Sequence, residues 1–302
     1  MQYLFQPVID GWASWSKVYQ NLSVFRPLAE EIFRREGLAF SEPSHCTPGT
    51  HAVFRVGAFL LKIYAPPSAG MSAGDAQREL WGLKAACGLG VPVTRPVASG
   101  CLADRYPFRY LITAYVDAPS FQAVRDNMTA AEKYELAKRL RQITDKLHMR
   151  VSAPYPVDIL KTAAENRRWH AFPENFRREM PQYWSRLDLG PLYLVHGDLN
   201  PDNLLLCPEG PLLLDFGDSL AAPLCYEEAV VAAELFRFQP DFMRGYFCGQ
   251  TAGQVAELCF QGLLLHDFGA NILCDRFGGS AAFQSLADLK KLLYQRVSKA
   301  ME

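Results

Sequence analysis

The sequence lacks most of the features that would assign it quickly. It has no C-x-x-C pair among its eight cysteines, which argues against zinc and redox motifs and suits a reducing compartment. Scattered in this way, the thiols read as small buried hydrophobes. There is no excess of one charge. The formal net charge is -1, whereas a protein held by nucleic-acid phosphates is usually basic, so no nucleic-acid partner is expected. No apolar run approaches the roughly 20 residues of a membrane helix, so no membrane partner is expected either. Met1 to Trp15 has no basic segment ahead of its apolar residues and carries Asp10, so no export signal is expected there and the location is read as cytoplasmic. Internal repeats and low-complexity tracts are absent. So are a G-x-G-x-x-G loop and a Walker loop. Oligomeric state has no signature in the sequence.

What is present is ordinary globular material: 302 residues, 49% hydrophobic and 21% charged. That is enough for one large or two ordinary domains. The first forty residues read as helical, most clearly Pro27 to Leu38. His51 to Tyr64 (HAVFRVGAFLLKIY) reads as two short strands turning at Val56-Gly57-Ala58. Asp75 to Cys87 reads as a helix ending before Gly88 and Gly90. Phe108 to Val116 is β-branched and aromatic, hence a buried strand. After it the pattern turns helical. Thr129 and Glu132 form a capping box opening a helix to about His148. Tyr193 to Val195, Leu204 to Cys207 and Leu212 to Asp215 read as short strands, with helices from Tyr226 to Phe238 and from Thr251 onward. A strand-rich part thus precedes a helix-rich part. The expected division is residues 1–116, a nucleotide-binding lobe with a helical N-terminal extension, and residues 117–302, a catalytic and substrate-binding lobe.

The chemistry concentrates in His196-Gly197-Asp198-Leu199-Asn200-Pro201-Asp202-Asn203 and Asp215-Phe216-Gly217. Phosphoryl transfer needs a carboxylate to orient the attacking hydroxyl, oxygen ligands for Mg²⁺ and a lysine on the phosphates. Asp198 and Asn203, with four residues between them, have the spacing of a catalytic base and a metal-binding amide in a kinase loop. Asp215 supplies a hard carboxylate beside Asn203, a fitting ligand pair for Mg²⁺. A second Asp-Phe-Gly, at Asp267, lies in a Leu-rich stretch read as one helix face ending near Gly269, far from any catalytic loop.

Lys62, flanked by apolar residues in a strand, needs a charge partner, and Glu79 on the following helix can supply it. Two readings stand: a lysine on the nucleotide phosphates held by Glu79, or a surface lysine on an edge strand. Thr47-Pro48-Gly49-Thr50 is either an ordinary turn or one that approaches phosphate, with Thr50 donating. His45 and His51 flank it without ligand spacing. The strand ending Thr113-Ala114-Tyr115-Val116 reads either as a connector between lobes, with the Ala114 carbonyl and Val116 amide as candidate adenine contacts, or simply as a buried strand. Glu227, Glu228, Glu234 and Asp241 either offer carboxylates to an amine-bearing substrate or form a solvated helix face.

LVHGDLNPDNLLL (194 to 206) and LLLDFGDS (212 to 219) resemble the aminoglycoside phosphotransferase and choline-kinase-like superfamily. PGTHAVFRV with LLKIY, and YEEA (226 to 229), resemble its hygromycin-kinase-like members. The likeness spans residues 46 to 240, roughly two-thirds of the chain. It implies an α+β, two-lobed protein-kinase-like fold, with a small strand-rich N-lobe and a larger helical C-lobe. It also implies ATP or GTP as donor, Mg²⁺, and a small-molecule alcohol as acceptor. Carried over by position, Asp198 is the base, Asn203 and Asp215 are metal ligands, Lys62 contacts phosphate, and His196 orients the base. Asp218 would reach the metal shell or the substrate, or else cap the loop. Ala114 departs from the acidic residue many relatives carry there, which leaves ATP against GTP open. A protein kinase is disfavoured because only Asp218 to Cys225 separates the metal triplet from the next helix and A-P-E is missing. A non-catalytic binding module would have lost Asp198, Asn203, Asp215 or Lys62. The expected reaction is phosphorylation of an aminoglycoside or similar amino-cyclic alcohol, a resistance-type activity. Choline, homoserine, a sugar or a ketosamine is the alternative acceptor.

Overall fold

The computed structural model describes residues 3–47, 49–72, 74–151 and 153–302. Two compact units share the chain in interleaved segments. The first comprises Met1–Gly88, Val93–Asp117 and Asp215–Gly217, and the second Leu89–Pro92, Ala118–Leu214 and Asp218–Glu302.

The first unit is built on an antiparallel sheet of order β1-β2-β3-β5-β4. Its strands are β1 (Ser44–His45), β2 (Ala52–Val56), β3 (Phe59–Ile63), β4 (Pro96–Ala103) and β5 (Pro107–Ala114). Alternation along β2 and β3 sends Phe54, Val56, Leu61 and Ile63 into one core with Phe5, Trp15, Phe25 and Phe33 of the N-terminal extension. Burying each of these side chains contributes about 1.5–3 kcal/mol. Lys62 alternates with them and so points to the opposite face, where the Asp75–Gly88 helix supplies Glu79. β3 pairs with both β2 and β5. Lys62 therefore lies in a central strand, and the edge-strand reading is excluded. The extension's helix runs Leu22–Arg35, earlier than the sequence suggests. The Asn21 side chain accepts from the Ser23 and Val24 amides and sets the start, with Pro27 inside the helix.

The second unit is mainly helical. The Ala130–Leu147 helix opens with the Thr129–Glu132 capping box. Later helices include Leu224–Val230, Ala252–Leu265 and Gly269–Phe277. Two short antiparallel pairs interrupt them: β6 (Tyr193–Val195) with β9 (Leu220–Ala222), and β7 (Leu204–Cys207) with β8 (Gly210–Leu213). The loop 196–203 joins β6 to β7. The strand before Asp215 ends at Leu213, two residues short of the expectation, because Asp215 turns into the left-handed region at φ 51°. His266 to Phe268 lies between two helices and not within one. All eight cysteines are free, but Cys87, Cys101 and Cys248 are exposed, so burial does not explain those three. Among the described residues no helix is long and apolar enough to cross a membrane.

Candidate active site

In the first unit, the Lys62 ammonium lies 2.8 Å from Glu79 Oε2 and 2.8 Å from Asp215 Oδ1. Lys62 and Glu79 are buried, while the Asp215 side chain is 47% exposed. Burial opposes the charge on Lys62, yet Asp215 and Glu79 together hold its pKa above the ordinary lysine value, so the ammonium stays cationic. Burial raises the pKa of Glu79, and Lys62 acts against that rise. The Gly217 amide donates to Asp215 Oδ1 at 3.2 Å. Thr50 is exposed just before β2, and its carbonyl accepts the Trp15 indole N–H at 3.0 Å. Pro48 of that turn lies outside the described residues. Ala114 ends β5, its amide donating to the Arg95 carbonyl at 2.9 Å, and Val116 lies beyond the sheet.

In the second unit, Asp198 is held from several directions. Asn200 Nδ2 donates to its Oδ2 at 2.9 Å and Asn203 Nδ2 at 3.1 Å. Asn203 Nδ2 also donates to the Asp198 carbonyl at 2.8 Å. Asn200 Oδ1 in turn accepts from the Asp202 and Asn203 amides and closes the turn between them. His196 is fully buried. Its Nδ1 accepts from the Asp198 amide at 3.3 Å, which leaves Nε2–H to donate to the Leu214 carbonyl at 2.6 Å. It therefore acts on Asp198 through the backbone. Gly197 takes φ 83°, and a Cβ there would collide with the Asp218 carbonyl, so the loop requires glycine at that position.

The loop-anchoring roles of several residues escaped the sequence reading. Glu227 Oε2 accepts from the His196 amide and from the Gly197 amide, the latter at 3.2 Å, while Oε1 lies 2.7 Å from His148 Nε2. Burial alone would raise the pKa of Glu227; the hydrogen bonds from His148 and the His196 backbone hold it below the ordinary carboxylate value. His266 accepts from the Phe268 amide at Nδ1 and donates from Nε2 to the Gly197 carbonyl at 2.9 Å. Burial holds its pKa down to about 4, so it is neutral. The second Asp-Phe-Gly was expected to lie far from any catalytic loop; instead the histidine before it meets the loop at Gly197. Asp267 itself is held by Arg168 at 2.9 Å.

The four acids considered for an amine-bearing substrate form neither a solvated face nor an open carboxylate set. Glu227 and Glu228 are buried, and Glu228 pairs with Arg141 at 2.8 Å. Glu234 pairs with Arg276 at 3.7 Å and Asp241 with Arg244 at 2.6 Å. Asp218 is exposed in the short turn Phe216–Asp218. Asn200 was signalled by an Asx-Pro step inside the loop; Glu227 had only its place in YEEA.

Each unit holds an oxygen donor of the kind a hard cation takes. In the first unit Asp215 presents a half-exposed carboxylate whose Oδ1 meets Lys62; in the second the Asn203 amide nitrogen is committed to Asp198, which turns its oxygen away from that residue. Mg²⁺ takes one or two such protein oxygens beside phosphate and water. Among the described residues no three His, Cys, Asp or Glu side chains form a protein-only metal cage.

The family model described as "Phosphotransferase enzyme family" (APH) matches residues 49–258. The chain belongs to that family. It is a small-molecule phosphotransferase that uses a nucleotide donor, and the family reaction is phosphorylation of an alcohol. Solved structures of similar fold include the GDP complex of an aminoglycoside 2'-phosphotransferase, at 16% identity and TM-score 0.62, covering 93% of this chain and 99% of that one. A choline/ethanolamine kinase family protein from Mesorhizobium loti is 17% identical at TM-score 0.54, covering 87% of this chain and 88% of that one. A spectinomycin phosphotransferase in complex with ADP and spectinomycin is 13% identical at TM-score 0.56, covering 91% and 98%. The chain therefore has the kinase-like α+β fold that its motifs imply. A comparison with curated protein sequences finds no match.

Proposed function

We infer that this phosphotransferase moves the γ-phosphate of ATP or GTP to a hydroxyl of an amine-bearing alcohol, first an aminoglycoside or similar amino-cyclic alcohol. The observation that carries the reading is the Asp198 carboxylate, clamped by Asn200 and Asn203 within a loop pinned by Glu227. Asp198 accepts the acceptor hydroxyl's proton or orients that hydroxyl, and His196 holds the Asp198 backbone. Lys62, aimed by Glu79, grips the donor phosphates. Asn203 and Asp215 are the protein ligands proposed for Mg²⁺, which neutralises phosphate charge when bound. The Ala114 carbonyl and Val116 amide meet the purine edge, and the Thr50 turn meets phosphate. Residues 1–116 and 117–302 are the proposed donor and acceptor lobes, in a cytoplasmic enzyme.

The aminoglycoside and spectinomycin phosphotransferases among the structures of similar fold support that acceptor first. The internal pairing of Glu227, Glu228, Glu234 and Asp241 favours a second reading, a metabolic alcohol with few amines such as choline, homoserine or a ketosamine, or a sugar. A coupled nucleotide-turnover screen over aminoglycosides, choline, homoserine, ketosamines and sugars separates them. Turnover with an aminoglycoside supports the first reading and a resistance activity; silence there beside turnover of another alcohol supports the second. In either case Asp198→Asn is expected to retain donor binding and lose about 10²–10⁴-fold in transfer rate. Near-native transfer by that variant would remove Asp198 from the reaction.

A further inference from the structure

Tyr64 is two residues beyond Lys62, and its hydroxyl donates to Glu79 Oε2 at 2.6 Å. The same oxygen faces the Lys62 ammonium at 2.8 Å. We propose that Tyr64 is a positioning residue of the donor site, a hydroxyl that anchors Glu79 so that Glu79 can aim Lys62. The proposal rests on the reading of Lys62 as the phosphate-gripping lysine.

The surroundings hold Tyr64 in place. Its amide donates to the Arg109 carbonyl at 3.0 Å, and the Ala65 amide donates to His51 Nδ1 at 3.2 Å. The His51 ring lies 4.8 Å from the Tyr64 ring. His51, Lys62, Tyr64 and Glu79 are all buried. Burial holds the pKa of Tyr64 well above the ordinary phenol value, so the O–H remains a donor. It holds His51 down to about 3, so no second cation competes for Glu79.

The arrangement solves a mechanical problem. Lys62 has two carboxylate partners, and a Cβ built on Gly217 would lie 3.1 Å from Asp215 Oδ1 and 3.7 Å from Glu79 Oε2, so both acids crowd one side of the cluster. Arriving donor phosphates add a third claim on the ammonium. A Glu79 held by Lys62 alone would follow the lysine or be left as a buried, unpaired charge. The Tyr64 hydrogen bond gives Glu79 a second attachment that the phosphates do not disturb, so the lysine has a fixed point to act from. This link appears in no local pattern of the sequence, because Tyr64 and Glu79 lie on different elements.

The test is a double-mutant cycle read by equilibrium affinity for MgATP and MgGTP and by their basal hydrolysis. Proteins compared are wild type, Tyr64→Phe, Glu79→Gln and the double variant, each checked by thermal unfolding. Tyr64→Phe is expected to weaken donor affinity or turnover about tenfold, the scale of one hydrogen bond to a charged group. That loss should disappear in the Glu79→Gln background. Native donor behaviour of Tyr64→Phe, or an equal loss in both backgrounds, overturns the proposal. Should Glu79→Gln not fold, Lys62→Met serves as the second background with the same expectation. Lys62→Met also separates the two levels. A native donor affinity in that variant removes the phosphate-grip reading and this proposal with it; a loss there beside native Tyr64→Phe removes the proposal alone.

Discussion

His266 shows how a single side chain couples acidity to the loop that carries Asp198. It is buried and neutral, donating from Nε2 to the Gly197 carbonyl. Its pKa falls from 6.5 to about 4 on folding. As pH drops below 6.5 the unfolded chain takes up this proton and the native chain does not, so native stability falls between pH 6.5 and 4. His51, held down to about 3, adds to the same trend. Thermal unfolding followed across this range should show His266→Gln less stable than wild type at neutral pH, but with a pH dependence shallower by about one proton. Parallel curves for the two proteins would show that His266 does not carry the linkage. Glu227 acts in the same sense at lower pH: its pKa is depressed, so its contribution is present above the ordinary carboxylate value and is lost as pH falls through the folded value.

Between elements, the close approach of the Leu224–Val230 and Ala252–Leu265 helices depends on Gly262. A Cβ there would overlap the Cys225 carbonyl and the Ala229 methyl. The former helix carries Glu227, so its position sets where the carboxylate meets the His196 and Gly197 amides. Gly262→Ala should therefore cost about 1–3 kcal/mol, the usual range for overpacking, and lower transfer as well. Thermal unfolding and a rate measurement on the same preparation check both; an unchanged melting temperature would mean the helices separate without strain. Much at this scale was legible in the sequence. The two short strands of residues 51–64 and the Thr129 capping box are local patterns, and both appear where expected. The end of β8 was misjudged, since Leu212 to Leu214 is uniformly apolar and nothing in it announces the turn at Asp215.

For the whole molecule, the testable property is linkage between donor binding and stability. A ligand that binds only the folded chain stabilises it by about 2.7 kcal/mol at a hundredfold excess over its Kd. MgATP or MgGTP should accordingly raise the melting temperature of the wild-type chain. Asp215→Ala should lose the Mg²⁺-dependent part of that rise, whereas Asp198→Asn should keep it. An undiminished shift in Asp215→Ala would place the metal on other ligands.

The sequence by itself picked out the candidate reaction set: Lys62, Asp198, Asn203 and Asp215 stand out because their spacing is short and ordered and their chemistry is specific. It also carried the family, which the match over residues 49–258 establishes. Only the tertiary structure decided how those groups are held. Lys62 meets Asp215 across 153 positions, His148 meets Glu227 across 79, and His266 meets Gly197 across 69. Burial turned Glu227 and Glu228 from apparent surface charges into internal anchors, and it joined Tyr64 to Glu79. The pairing of a charge depends on its neighbours in space, and periodicity along the chain records only which face a residue occupies.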